Sequence, residues 1–414
     1  MHDAVAAQAP NRKLPLQSLT RLRANLPTLA EASLAIGSAL LLVLSFPDFD
    51  LWWLAWIGMV PLLMAVARTR KTGQAFLLGL LWGVIFFYGT CWWLTFSMIH
   101  YGHLHLWLAY PLLLLPVLLV ALFPALFCAL LERVASRFGP AALFTAPLLW
   151  VSFEFGRYAV TGQLWNALGY SQAFHPMLIQ SARWGGVYAV GFLVVAANAA
   201  VAFALIRRRI VATGLSLVIL MITALALAGA LVQFISEPIL SNASNRFVVA
   251  VQPNVPMDGV DDPAMMQHLL NRHLELSAQG LRNTPRDASS TRLVIWPESP
   301  MSFSYSRDSQ LRDVVARFAR DNYTSVMLNS LEPGPNGGEY NSAILVNEAG
   351  QKVAQYDKIR LMPFGEYVPL PHWLPGASSV RGIVGDFTPG SSYTLMPLGD
   401  LRAGVFICIE AAHP

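Results

Sequence analysis

Seven apolar stretches fill the first 240 residues, running roughly over 31–46, 51–67, 75–98, 106–131, 140–158, 185–206 and 210–235. A helix needs about 20 apolar residues to cross a bilayer. In hydrocarbon the helix satisfies its own backbone polar groups, so runs of this length fold as membrane helices. Most of the seven reach that length. The first two are short and joined only by Pro47-Asp48-Phe49-Asp50, which suits a helical hairpin that crosses with little margin. The first thirty residues are polar, and no small-residue cleavage site follows the first apolar run, so a cleaved signal peptide fits badly. Only 13% of the chain is charged and 55% is hydrophobic, against about 25% charged in ordinary soluble domains. The charge gathers toward the C-terminal part. The expected organisation is a cytoplasmic tail over 1–30, a membrane domain with about seven apolar helices over 31–237, and a soluble domain over 238–414.

Lysine and arginine set the orientation. Arg12, Lys13, Arg21 and Arg23 lie in the tail. Arg68, Arg70 and Lys71 follow the second stretch, Arg133 and Arg137 the fourth, and Arg207, Arg208 and Arg209 the sixth. All fall on one side, the cytoplasmic one. The alternate loops carry almost no positive charge. An odd number of crossings then puts 238–414 across the membrane, in the periplasm of a diderm bacterium. The net charge of +4 is explained by topology and implies no nucleic-acid partner.

Two outer loops stand out. The segment Thr161-Gly162-Gln163-Leu164-Trp165-Asn166-Ala167-Leu168-Gly169-Tyr170 is half apolar. It reads either as an interfacial aromatic belt or as a surface where lipid enters a site, with Trp165 and Tyr170 as contacts. His100, His103 and His105 cluster in another loop without a nearby carboxylate, which favours solvated polar filler over a metal. No metal site and no cofactor are expected. Cys91 and Cys128 lie in apolar runs and read as small buried hydrophobes. No cysteine pair has disulfide or CxxC spacing.

From residue 246 the pattern changes to short apolar strands alternating with helices, which indicates an α/β sandwich. Strands are expected at 246–251, 293–295, 324–331, 341–347, 353–357 and 402–408, with helices at 262–280 and 308–321. Three motifs carry chemistry. Trp296-Pro297-Glu298 closes the second strand. Tyr356-Asp357-Lys358 runs into Pro363-Phe364-Gly365-Glu366-Tyr367-Val368-Pro369. Cys408-Ile409-Glu410 closes the last strand. A carboxylate, an amine and a thiol at strand ends can build a nucleophilic site for acyl transfer. Glu298 is suited to take and return protons, Lys358 to meet an oxyanion, and Cys408 to attack as thiolate. Glu366 can hold Lys358 by a charge-assisted hydrogen bond. Glu410 projects to the same side as Cys408 if that strand continues, as a second orienting carboxylate. Trp296 is a candidate substrate contact.

With those motifs the chain resembles the apolipoprotein N-acyltransferases, membrane-embedded members of the nitrilase (carbon–nitrogen hydrolase) superfamily. The resemblance extends to Val251-Gln252-Pro253-Asn254, Trp150 through Glu154 and Arg157, Gly186-Val187-Tyr188 and Gly385 through Gly390. It implies a multi-pass α-helical membrane domain joined to an αββα nitrilase-like sandwich. It implies a Glu298–Lys358–Cys408 triad, working through a Cys thioester. It also implies a phospholipid acyl donor, phosphatidylethanolamine, and a diacylglyceryl-cysteine apolipoprotein acceptor at the inner membrane. Two positions depart from the family pattern. Ile409 stands where a tyrosine is common, and Asp258-Gly259-Val260 where a Lys-Trp pair is common. The family's soluble domain continues past the nucleophile to another membrane helix, so the expectation is a C-terminally truncated sandwich with an unpaired edge. Two other functions stay open at this point: a membrane-tethered amidase or nitrilase, and an inactive truncated remnant.

Overall fold

The computed structural model describes residues 26–207 apart from 101 and 103, a few positions within 221–232, and 246–412 apart from 256–261, 283, 285–290, 299–302, 364 and 369–386. It divides into two compact units, one up to Glu237 and one from Pro238.

In the first unit, three helical runs are long and apolar enough to cross a membrane: Thr72–Cys91, Leu106–Thr161 and Ala182–Arg207. The second run is two helices, Leu106–Phe138 and Ala146–Thr161, because Gly139 takes a φ of +66° and the chain tightens to a 3₁₀ turn over Gly139–Thr145. A left-handed residue ends a helix, and glycine adopts it without a side-chain clash. Three prolines, Pro111, Pro116 and Pro124, lie inside Leu106–Phe138. Neighbouring helices in a membrane make such breaks tolerable. The first two apolar stretches form shorter helices, Leu29–Val43 and the broken run from Trp52 to Arg68. The seventh expected stretch falls largely outside the described residues.

Buried polar side chains lock this unit internally. Asn198 accepts from the backbone N–H of Met59 at 2.8 Å and donates to the carbonyls of Ala55 and Val194, each at 2.8 Å. It thereby satisfies the backbone where the Ala55–Gly58 helix gives way to Val60–Arg68. The Ser38 hydroxyl donates to the Gly58 carbonyl and accepts from the Trp82 indole.

The second unit is built on a five-stranded sheet in the order β1 (Arg246–Ala250), β2 (Thr291–Ile295), β3 (Ser325–Pro333), β4 (Glu339–Val346), β5 (Lys352–Asp357). The first three strands are mutually parallel; β4 and β5 fold back as an antiparallel meander. Alternation along the strands sorts their side chains to two faces. Val294, Val326, Leu328, Ile344 and Val346 pack under the helices Pro263–Leu281 and Ser309–Asn322. Leu293, Met327, Ala343, Leu345 and Tyr356 face the other way, onto Met396, Leu398 and Ile407.

The final strand is shorter than the sequence suggests. Only Leu401–Ala403 (β7) is a strand, paired antiparallel with Met396–Leu398 (β6). The run then leaves the sheet, and Cys408–Ala412 forms a 3₁₀ turn. The expectation of a strand reaching Cys408 is therefore corrected. The apolar positions Val405 and Ile407 alternate because they pack on the sheet face, not because they pair in it.

Candidate active site

Topology brings the motif residues to one edge of the sheet. β5 is antiparallel to β4, which is antiparallel to β3, so β5 runs in the same sense as β2 and β3. Glu298 lies three residues beyond the last residue of β2, Ile295, and Lys358 directly follows β5. The carboxyl edge of a sheet is where α/β folds form their sites.

The Lys358 ammonium is buried, with a relative exposure of 1%. It donates to Glu366 Oε1 at 2.9 Å and to Glu298 Oε1 at 3.3 Å. Asn341, near the start of β4, donates from Nδ2 to the same two oxygens, each at 2.8 Å. Two carboxylates thus share two donor groups in one ring. Asn329 Nδ2 donates to Asn341 Oδ1 at 2.7 Å and fixes the amide orientation. Backbone bonds hold the lysine itself. Its N–H donates to the Asn341 carbonyl and its carbonyl accepts from the Gly390 N–H, both at 2.8 Å. Gly390 is required for that approach, since a Cβ there would collide with the Asp357 backbone. Burial opposes the Lys358 charge. The hydrogen bond it donates to Glu366 and the charges of Glu298, Glu366 and Cys408 outweigh it and hold the pKa above the ordinary lysine value.

Cys408 begins the 3₁₀ turn with a φ of +53°. A non-glycine residue in this region is uncommon and is strained. The turn aims the residue outward, and Cys408 is the exposed cysteine while Cys91 and Cys128 are buried. Burial of its thiol, then the charge of Glu298, push its pKa up; the Lys358 ammonium pulls the other way. The net effect favours the protonated thiol over the thiolate.

Glu410 has a different place from the one expected. Its strand does not continue, and its buried carboxylate reaches back to the end of β5. Oε1 accepts from the Tyr356 hydroxyl at 2.7 Å and from the N–H groups of Ile359 and Arg360 at 2.8 and 3.0 Å. Oε2 accepts from the Ile407 N–H at 2.9 Å. One carboxylate ties the chain after Lys358 to the turn that carries Cys408. Glu366 also ties backbone, with Oε2 accepting from the Met362 N–H at 2.8 Å.

Trp296 does not fit a substrate contact. It is buried, its indole donates to Ser277 Oγ at 2.9 Å, and its ring packs 5.0 Å from His273. It anchors the end of β2 to a helix. Trp165 and Tyr170 belong to the first unit. Trp165 meets Trp93 edge-to-face at 5.5 Å, and its carbonyl accepts from Arg157 at 2.7 Å. Tyr170 packs partly against the helical core. His100 hydrogen-bonds the Phe96 carbonyl, and His103 lies outside the described residues. Among the described residues no group of His, Cys, Asp or Glu is arranged to hold a metal. The segment Asp258-Gly259-Val260 also lies outside them.

Comparison with known proteins gives the family. Residues 38–200 match the apolipoprotein N-acyltransferase N-terminal domain, and residues 249–414 match the carbon-nitrogen hydrolase family. An apolipoprotein N-acyltransferase of Geobacter metallireducens is 32% identical over 92% of this chain and 73% of its own length. The chain belongs to the apolipoprotein N-acyltransferase family. A member from Rhizobium etli is 29% identical over 92% of this chain and 74% of its own. An amidase from Nesterenkonia sp. AN1 aligns over 41% of this chain and 57% of its own at 17% identity, with a TM-score of 0.27. The nitrilase-like sandwich and the apolar helical unit are those of the family.

Asn341 is the site residue that sequence reasoning missed. It sits at a strand start in Tyr340-Asn341-Ser342 with no unusual composition around it. Only its pairing opposite the end of β5 reveals its reach to both carboxylates.

Proposed function

We propose that this protein transfers an acyl chain from a phospholipid, phosphatidylethanolamine, to the N-terminal amine of a diacylglyceryl-cysteine apolipoprotein, working from the periplasmic face of a bacterial inner membrane. The observation that carries the reading is the buried Lys358 ammonium shared by Glu298 and Glu366, with the charges of Glu298 and Lys358 both acting on the Cys408 thiol.

In the first half-reaction Glu298 takes the Cys408 proton, and the thiolate attacks the ester carbonyl of the lipid. Two of the three Lys358 N–H bonds point to carboxylates, which leaves the third for the oxyanion. Collapse breaks the ester C–O bond, the departing glycerol oxygen takes the proton from Glu298, and the acyl group stays on sulfur as a thioester. In the second half-reaction the lipoprotein amine attacks that thioester. Glu298 accepts the amine proton, the C–S bond breaks, and the thiolate regains its proton from Glu298. Glu366 and Asn341 hold the lysine and the base in register. Glu410 holds the nucleophile turn against the lysine loop.

The test is turnover by the purified protein with phosphatidylethanolamine and a diacylglyceryl-cysteine peptide. N-acylated peptide and lysophospholipid in equal amounts are expected. Hydrolysis of short amides without peptide acylation would instead favour a membrane-tethered amidase.

A further inference from the structure

One polar side chain inside the sheet has no part in the steps above. Asn329 stands in the middle of β3, in the run Met327-Leu328-Asn329-Ser330-Leu331. Asparagine is depleted in strands, where its short polar side chain competes for backbone groups. Register explains what it reaches. Asn329 lies opposite Ala343 of β4, so Asn341 is its diagonal neighbour on the same face of the sheet.

The direction of each hydrogen bond in this corner follows from one fixed group. The Ser342 carbonyl belongs to the backbone and can only accept. It takes a bond from Asn329 Nδ2 at 3.1 Å, which identifies that end of the Asn329 amide as the NH₂ group. The same nitrogen donates to Asn341 at 2.7 Å, so the facing atom of Asn341 is its oxygen. The Asn341 NH₂ group is then turned toward the carboxylates. Its two hydrogens go one to Glu298 Oε1 and one to Glu366 Oε1, each at 2.8 Å. Lys358 Nζ donates to the same two oxygens. Each Oε1 thus meets two N–H donors. A reversed Asn341 amide would set its oxygen against both carboxylate oxygens with no hydrogen between them. Asn341 is buried, which keeps water from repairing that loss.

Two donors fill the two lone pairs of Glu298 Oε1, so a proton passing through this carboxylate has Oε2 as its place. Among the described residues Asn329 makes no hydrogen bond to Glu298 or Lys358; its NH₂ group bonds β4. It reaches the base through Asn341. We propose that Asn329 is a positioning residue for Glu298: by orienting the Asn341 amide it keeps Oε1 held and assigns proton transfer with the Cys408 thiol to Oε2. The role rests on reading Glu298 as the base of the thiol. It does not depend on which acyl donor or acceptor the protein uses.

The test is acylation of Cys408 by p-nitrophenyl butyrate, an activated ester that needs neither lipid nor lipoprotein. Release of p-nitrophenol is followed with the purified full chain in detergent, corrected for release by Cys408→Ser. Asn329→Leu has a similar size and no donor. It should slow the maximal acylation rate about tenfold or more, as a misplaced base does, and leave the half-saturating ester concentration within about twofold. Asn341→Ala should slow acylation at least as much. With Asn341→Ala already present, Asn329→Leu should add less than about twofold, because a residue acting through another has nothing left to act on. Asn329→Asp keeps the shape without an N–H and should be as slow as Asn329→Leu; it replaces that variant in the cycle if Asn329→Leu does not fold. This pattern supports the relay even in a protein that leaves phosphatidylethanolamine untouched, so the two readings fail separately. Three results would overturn it: a parent-like rate in Asn329→Leu or Asn329→Asp, the full slowing by Asn329→Leu in the Asn341→Ala background, or a parent protein whose Cys408 gives no release.

Discussion

At the scale of single residues, opposed charges act on one thiol of the proposed site. Glu298 raises the Cys408 pKa and Lys358 lowers it, with burial the largest contribution. Glu298→Gln removes the negative charge and leaves the ammonium, so the thiolate becomes easier to form. Alkylation of Cys408 by iodoacetamide at pH 7 should then be several-fold faster than in the parent, because the thiolate is the reacting species. Acyl transfer should fall by a factor of about 10² to 10⁴ with the loss of the base. The two effects have opposite signs. Parallel losses of both would remove Glu298 from the role of base. In the parent, alkylation should keep rising with pH past the ordinary cysteine value of 9.0. Lys358 is linked to stability with the same sign as Cys408, since both pKa values are raised. Its pKa is raised on folding, so the stability it contributes is full below the ordinary value of 10.5 and is lost as pH climbs through the folded value.

Elements decide whether those residues meet. Glu410 accepts four hydrogen bonds from two segments. Glu410→Ala leaves four donors without an acceptor and should cost about 2–4 kcal/mol. A thermal melt in detergent should show a clear drop, with slower acylation of Cys408; an unchanged melt would mean the two segments are held by other contacts. This element also marks where sequence reading ended. The strands at 246–250, 325–333 and 352–357 were legible because their apolar residues alternate or run unbroken between turn residues. So were the helices Pro263–Leu281 and Ser309–Asn322, opened by Asp262 and Asp308, whose side chains accept from Ala264 and Leu311 N–H groups. The convergence of Glu298 on Lys358 was legible because each closes an apolar run. The turn at Cys408 was not legible. Val405 and Ile407 alternate as they would in a strand, and only the positive φ at Cys408 separates the two cases. Asn341 and the role of Glu410 depend on long-range pairing that local pattern does not carry. Trp296 was misread because a tryptophan beside a catalytic motif looks available, whereas Ser277 takes its N–H inside the core.

For the whole molecule, the proposed orientation across the membrane rests on the basic loops. Reporters belong at exposed positions of each unit, such as Arg70 and Asn271. In a variant without native cysteines, Asn271→Cys should react with an impermeant maleimide on intact spheroplasts, and Arg70→Cys only after lysis. The reverse pattern would put the soluble unit in the cytoplasm and remove its access to exported lipoproteins.

The central claim is that acyl groups pass through Cys408, and a mass measurement on that residue tests it most directly. After incubation with phosphatidylethanolamine and no acceptor, the peptide containing Cys408 should gain the mass of one acyl chain and lose it to neutral hydroxylamine. Lys358→Ala should slow the gain by about 10² to 10³, and Cys408→Ser should give no hydroxylamine-labile adduct. An acyl thioester on Cys91 or Cys128, or turnover that persists in Cys408→Ser, would contradict the account.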